Sequence, residues 1–301
     1  VSGVLNSGYA YREQVDASGD GRTVLQYLAE RYPRNTASEW QARIERGEVS
    51  VAGQTAAAGE SLRRGKWLVW NRPPWVEPEA PGTYDVLYED GDLLAVCKPR
   101  GLPTVPGGGF LQGTLLTLVR QHSPDAAPMH RLGRGTSGVV LFARTAAARS
   151  ALQAAWRRRE PRKIYRAKIS GRPADDAFTV TTRIGPVSHP LLGEIFAASP
   201  DGRAAVSHVR ILQQKADSAL AEVTIETGRP HQIRIHLAAA GHPLSGDPLY
   251  AAGGTVAANA VPGDCGYWLH AHQLVLRHPA SGVEISIEAP LPSELELDTP
   301  R

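Results

Sequence analysis

No stretch of this 301-residue chain is apolar for long enough to cross a bilayer as a helix, and its first residues contain no secretory hydrophobic segment. Cysteine is nearly absent. Cys97 and Cys265 cannot by themselves build a disulfide framework or a zinc cluster, and Cys97, inside the apolar run LLAVC, reads as a small buried hydrophobe. The expectation is a reducing, cytoplasmic setting with no membrane contact. Lysine is scarce as well: five of the 33 basic residues, the rest being arginine. The net charge of +3 is too small to indicate a polyanionic partner, so the placement of the arginines has to decide.

The signatures of several common enzyme classes are also missing. GTSGV is not a nucleophile elbow, which needs glycine two residues to either side of the serine. The Gly107–Gly109 run lacks the Lys-Ser/Thr that completes a phosphate loop. His231 and His236 stand five apart, out of step with the i, i+4 spacing of a zinc-binding helix, so no metal is expected. No pair of spaced acids suggests glycoside hydrolysis.

What is present reads as an α+β protein. Residues 1–20 are small and polar and form a loosely ordered lead-in. Residues 21–71 form a compact module: TVLQYLAERY places Val24, Leu25, Leu28 and Tyr32 on one helical face, and a second helix over SEWQARIER ends near Gly47. RPPWVEPEAPG, residues 72–82, is a proline-rich linker. From 83 to 301, strand-like runs are broken by a few helices, the pattern of a mixed sheet rather than regular βαβ winding. One helix is expected to start at Pro230, where the missing N–H costs nothing, and to close at Gly241.

Three stretches concentrate polar chemistry. MHRLGRGTSGVVLFAR (129–144) sets a His-Arg pair, a glycine turn and two hydroxyls before an apolar strand, with no carboxylate. WRRREPRKIYRAK (156–168) holds seven basic residues, including Arg157, Arg158, Arg159, Arg162 and Lys163, against one glutamate. Beside Trp156 and Tyr165 this stripe suits phosphates and stacked bases, though it equally fits a solvated helix face. GRPHQIRIH brings Arg229, His231 and Arg234 to a helix start, which favours anions, or else merely solubility. Residue chemistry alone ends at an RNA- or phosphate-binding protein.

At these same residues the chain resembles the RluA-type RNA pseudouridine synthases, through YEDGDLLAVCKPRGLPTVPG, HRLGRGTSGVVLFAR, KIYRAKISG and TGRPHQIRIHLAAAGHPLSGDPLY. The module at 21–71 is similar to the S4 RNA-binding domain. The resemblance implies a largely antiparallel bent sheet flanked by helices, and conversion of a uridine in structured RNA, rRNA or tRNA, to pseudouridine. It implies no cofactor and no metal; nothing in the sequence demands more than a monomer.

Carried over residue by residue, Arg131 helps hold a flipped nucleotide, and Tyr165 lines the uracil pocket and assists proton removal. Arg234 pairs with a nucleophilic aspartate. Leu132, Thr136, Ser137 and Gly138 shape the turn, Ile235 and Leu237 pack, and His130 contacts RNA or is structural. The family motif, His-Arg-Leu-Asp-x-x-Thr-Ser-Gly, has its aspartate where this chain has Gly133. Arg234 is then expected to face the cleft without its carboxylate, a costly arrangement in a dry site. Three readings follow: a substitute carboxylate, Asp247 or Glu226, does the work; the chain is a catalytically silent RNA-binding relative; or the chemistry has changed.

Overall fold

The computed structural model describes residues 3–298, which divide into two units: residues up to 78 together with 189–194, and residues 79–188 together with 195 onward.

In the first unit, helices Val24–Arg31 and Ala37–Glu45 each open with a capping box, Thr23 with Gln26 and Thr36 with Glu39. They cover a four-stranded antiparallel sheet. The face of the first helix differs from the expectation. Val24, Tyr27 and Leu28 are buried, whereas Tyr32 caps the helix end and is 38% exposed. Tyr27 lies three residues after Val24 and so shares its stripe, while Tyr32 falls beyond the last helical turn. The lead-in is also corrected: Tyr9–Gln14 is a strand paired along its length with Trp67–Arg72. Its alternation of aromatic and polar residues lacks buried aliphatics, which concealed it.

The second unit is built on a ten-stranded mixed sheet. Arg162–Ser170 lies between Ser218–Ile225 and Leu269–Arg277, both antiparallel to it. Ser137–Ala143 pairs antiparallel with Leu93–Lys98 and, over a short contact, parallel with Leu269–Arg277. All seven residues of Ser137–Ala143 are buried because both sheet faces are covered. Val140 and Phe142 join one core with Val96, Leu115 and Val119; Val139 and Leu141 join the other with Ala148, Leu152 and Leu274. Among the described residues, no helix is long and apolar enough to cross a membrane.

Helix Gln232–Ala239 starts two residues later than expected. His231 takes a left-handed conformation, φ 55°, so Pro230 belongs to the preceding turn. The glutamine holds that turn: its Oε1 accepts from Thr227 Oγ1 (2.7 Å) and the Arg229 N–H (3.0 Å), while its Nε2 donates to Val206 O (2.9 Å). The helix is buried on every side through Ala238, and Gly241, φ 88°, ends it as expected.

Two glycines of the 130–138 segment differ in kind. Gly138 has φ 107°, and a Cβ there would stand 2.2 Å from Ala271 O, at the parallel strand contact. Gly133 lies outside the left-handed region; a Cβ there would meet only Tyr267 Oη at 3.3 Å and Thr136 Oγ1 at 3.8 Å. The backbone demands glycine at 138 and not at 133. Gly138→Ala should therefore lose at least about 2 kcal/mol in urea unfolding, and Gly133→Ala less than about 1 kcal/mol. Equal losses would remove this distinction.

Candidate functional site

Four chain segments meet at a cleft of about 120 Å³. The 130–136 turn supplies Arg131, Leu132, Gly133 and Thr136; the turn before the buried helix supplies Arg229, His231 and Arg234. The long central strand contributes Tyr165, and the segment before Leu269 contributes Tyr267. The first turn is held from below. Thr104 Oγ1 donates to Leu132 O (2.9 Å) and accepts from the Leu132 N–H (3.1 Å). Lys98, fully buried, donates to Pro99 O and Leu102 O, and burial lowers its ammonium to about 7.

Arg234 is not without a carboxylate. Its Nε donates to Asp247 Oδ2 (2.7 Å) and its Nη2 to Asp247 Oδ1 (2.8 Å), with both side chains 3% exposed or less. Nη1 donates to Pro262 O (3.0 Å) and to His231 Nδ1 (3.1 Å), and the guanidinium lies 4.2 Å from the Tyr267 ring centre. Burial opposes the charge, but the bidentate Asp247 more than offsets it and raises Arg234 above its ordinary value. Sequence reasoning assumed a one-to-one exchange with the residue at 133 and so missed this partner.

The same contacts dispose of Asp247 as a free carboxylate. Oδ1 also accepts from the Leu249 and Tyr250 N–H groups, and the residue does not line the cleft. Glu226 is exposed, bound to His208 Nε2 at 2.7 Å, and lies in the neighbouring groove rather than beside Gly133. Neither side chain lines the cleft as a free carboxylate. Gly133 itself is exposed at the cleft wall.

Tyr165 is 9% exposed, and burial pushes its hydroxyl to about 12, so near neutral pH it remains a proton donor rather than a base. Burial, reinforced by Arg234, lowers His231 to about 4, which keeps it a neutral acceptor for the guanidinium. His130 accepts the Leu141 N–H at Nε2 (3.2 Å) and stacks on Trp156, with burial lowering it to about 4. Its Nε2 is thereby committed to structure.

A second basin, lined by His130, Trp156, Arg157, Arg159, Lys163 and Glu226 among others, shares Arg131, Tyr165, Ile225 and Arg229 with the cleft. Burial, then the charge of Arg159, lowers Lys163. The basic stripe is therefore only partly one surface. Helix Ala146–Arg157 ends within the Arg run, Arg159 turns left-handed (φ 58°), and Arg158 points into an exposed ion pair with Glu160. Arg162 is exposed and, three residues from Tyr165 on one strand, faces the other side of the sheet. Tyr267, by contrast, was not anticipated; it is 1% exposed, shares a hydrogen bond with Thr136 Oγ1 (3.2 Å), and carried no motif in sequence. Among the described residues, no cluster of three His, Cys, Asp or Glu is placed to hold a metal.

Removing Asp247 strands a buried guanidinium. Asp247→Ala should cost about 3–5 kcal/mol in urea unfolding, and Glu226→Ala, on the surface, under about 0.5 kcal/mol. Similar values for the two would deny the buried pair its structural role.

Residues 92–239 match the family model described as RNA pseudouridylate synthase. An uncharacterized RNA pseudouridine synthase of a Synechocystis strain is 43% identical over 276 residues, covering 90% of this chain and 95% of that protein. A ribosomal large subunit pseudouridine synthase D of Neisseria meningitidis is 33% identical over 295 residues, covering 93% and 77%. Among solved structures, the human RNA pseudouridylate synthase domain containing 4 superposes with a TM-score of 0.55 at 25% identity, covering 70% of this chain and 90% of that one.

Proposed function

Because the chain belongs to the RNA pseudouridine synthase family, we propose that it isomerises a uridine in structured RNA, ribosomal or transfer, to pseudouridine. The continuity of cleft and cationic groove carries this reading: four residues, Arg131, Tyr165, Ile225 and Arg229, line both. A strand tracked by Arg157, Arg159 and Lys163 places one nucleotide at the mouth of a pocket too small for a duplex. The nucleotide leaves its stack, Arg131 holds the vacated place, and Tyr165 lies against the uracil as a protonated donor. The C1′–N1 bond breaks, the base turns, C5 bonds to C1′ and loses its proton, and N1 gains one, so the uridine is rearranged with no net change in atoms and no bound cofactor. Arg234, fixed by Asp247, lines the same cleft as Gly133.

On the same reading Gly133 replaces the family aspartate, the first unit is an S4-like RNA-binding module, and the protein works in the cytoplasm. One observation favours a second reading, an RNA-binding relative without turnover. Asp247 is committed to Arg234 and to backbone, and Glu226 to His208, so neither offers the cleft a free carboxylate.

Pseudouridine maps of total RNA from cells with and without the gene separate the two. The synthase reading expects at least one site to vanish on deletion and return with the wild-type gene. It also expects the site to stay absent with the Arg157→Gln/Arg159→Gln/Lys163→Gln variant. Identical maps from both strains would leave RNA binding as the function.

A further inference from the structure

The first unit carries an aromatic surface for which the reaction has no use. Tyr9 and Tyr11, on one face of the strand Tyr9–Gln14, are 50% and 42% exposed. Their rings meet edge to face at 4.9 Å, and Tyr11 stacks on Trp70 at 5.1 Å with planes 19° apart. Cross-strand register puts Tyr11 opposite Trp70 and Tyr9 opposite Arg72. Arg72 in turn lies 3.5 Å from the Trp75 ring centre and 5.8 Å from that of Trp70, and Arg43 lies 4.8 Å from Trp70.

Exposed rings are expensive to leave in water, and two exposed tyrosines beside two half-buried tryptophans and two guanidinium groups make a definite chemical pattern. A hydrophobic protein partner would be met by aliphatic residues with little charge at the centre. Here the exposed tyrosine pair adjoins tryptophans whose rings lie 3.5–5.8 Å from a guanidinium, the combination that suits a polyanion bearing flat bases. The charge of the region agrees, with nine basic against six acidic residues between Asp20 and Val76.

We propose that Tyr9, Tyr11, Trp70 and Trp75, with Arg43 and Arg72, form a stacking platform for two or three unpaired bases of a single-stranded RNA segment. The platform is separate from the residues that line the cleft and its groove. It deepens the RNA-modifying reading and rests on it, since it supplies a second hold on the same class of substrate. Stacking on rings tolerates any base, so the platform adds affinity for unpaired RNA without choosing a sequence.

The test uses the full-length protein and a 5′-labelled single-stranded uridine dodecamer, read by fluorescence anisotropy. Tyr9→Ser/Tyr11→Ser should weaken binding at least tenfold, whereas Tyr9→Phe/Tyr11→Phe, which keeps both rings, should bind within twofold of wild type. Arg72→Gln should weaken binding several-fold and flatten its salt dependence. It also serves as the readout if the serine variant melts early. Wild-type affinity in the serine and Arg72 variants would overturn the platform, as would concentration-dependent self-association of the wild type that the serine variant abolishes. The Arg157→Gln/Arg159→Gln/Lys163→Gln variant, measured alongside, keeps the failures apart. If it alone loses affinity, the platform falls and the RNA reading stands; if the wild type does not bind RNA at all, both fall.

Discussion

The second unit turns on one buried ion pair. Arg234 comes from a helix that is buried on every side, and Asp247 from the turn that follows it. Two nearly parallel hydrogen bonds join them, two backbone N–H groups fill Asp247 Oδ1, and Pro262 O and His231 take the remaining end of the guanidinium. A charge this deeply buried survives only when its donors and acceptors are matched. Here the match ties the helix start, the 247–250 turn and the 262 loop to one wall of the cleft. The rings of Tyr250 and Tyr267 against the guanidinium close that wall.

This arrangement changes the meaning of Gly133. Had Arg234 depended on a carboxylate at 133, the loss would have left a buried cation unpaired and the pocket would have rearranged. Because Asp247 supplies the counter-charge, the wall is indifferent to what occupies 133. The backbone there is ordinary, and the nearest atoms to a side chain would be two hydroxyl oxygens.

Much of the fold was legible because local signals agreed. The two helices of the first module, the apolar strand at 137–143 and the helix end at Gly241 all follow from residue order. Tyr9–Gln14 escaped because its stabilisation comes from pairing with Trp67–Arg72, far along the chain, and from ring contacts rather than an apolar stripe. The start of the buried helix was misplaced because His231 adopts a left-handed backbone that no local preference announces. At the site, motif residues Arg131, Tyr165, Arg229 and Arg234 do come together. Arg158 and Arg162 do not: one is claimed by Glu160 and the other faces away by strand parity. Tyr267 and the Arg234–Asp247 pair depend on tertiary contacts between separate segments, and neither spacing nor composition encodes them.

The proposal tested most directly is that Gly133 stands where the family carries its catalytic aspartate, so that a carboxylate placed there speeds the reaction. The direct measurement is the initial rate of pseudouridine formation by Gly133→Asp and wild-type protein, on total RNA from cells lacking the gene. A positioned carboxylate contributes about 10²–10⁴-fold to a rate, so the variant should exceed the wild type by at least about a hundredfold. RNA affinity and unfolding midpoint should stay nearly unchanged. A folded Gly133→Asp protein that binds RNA as the wild type does, yet forms pseudouridine no faster, would contradict the claim.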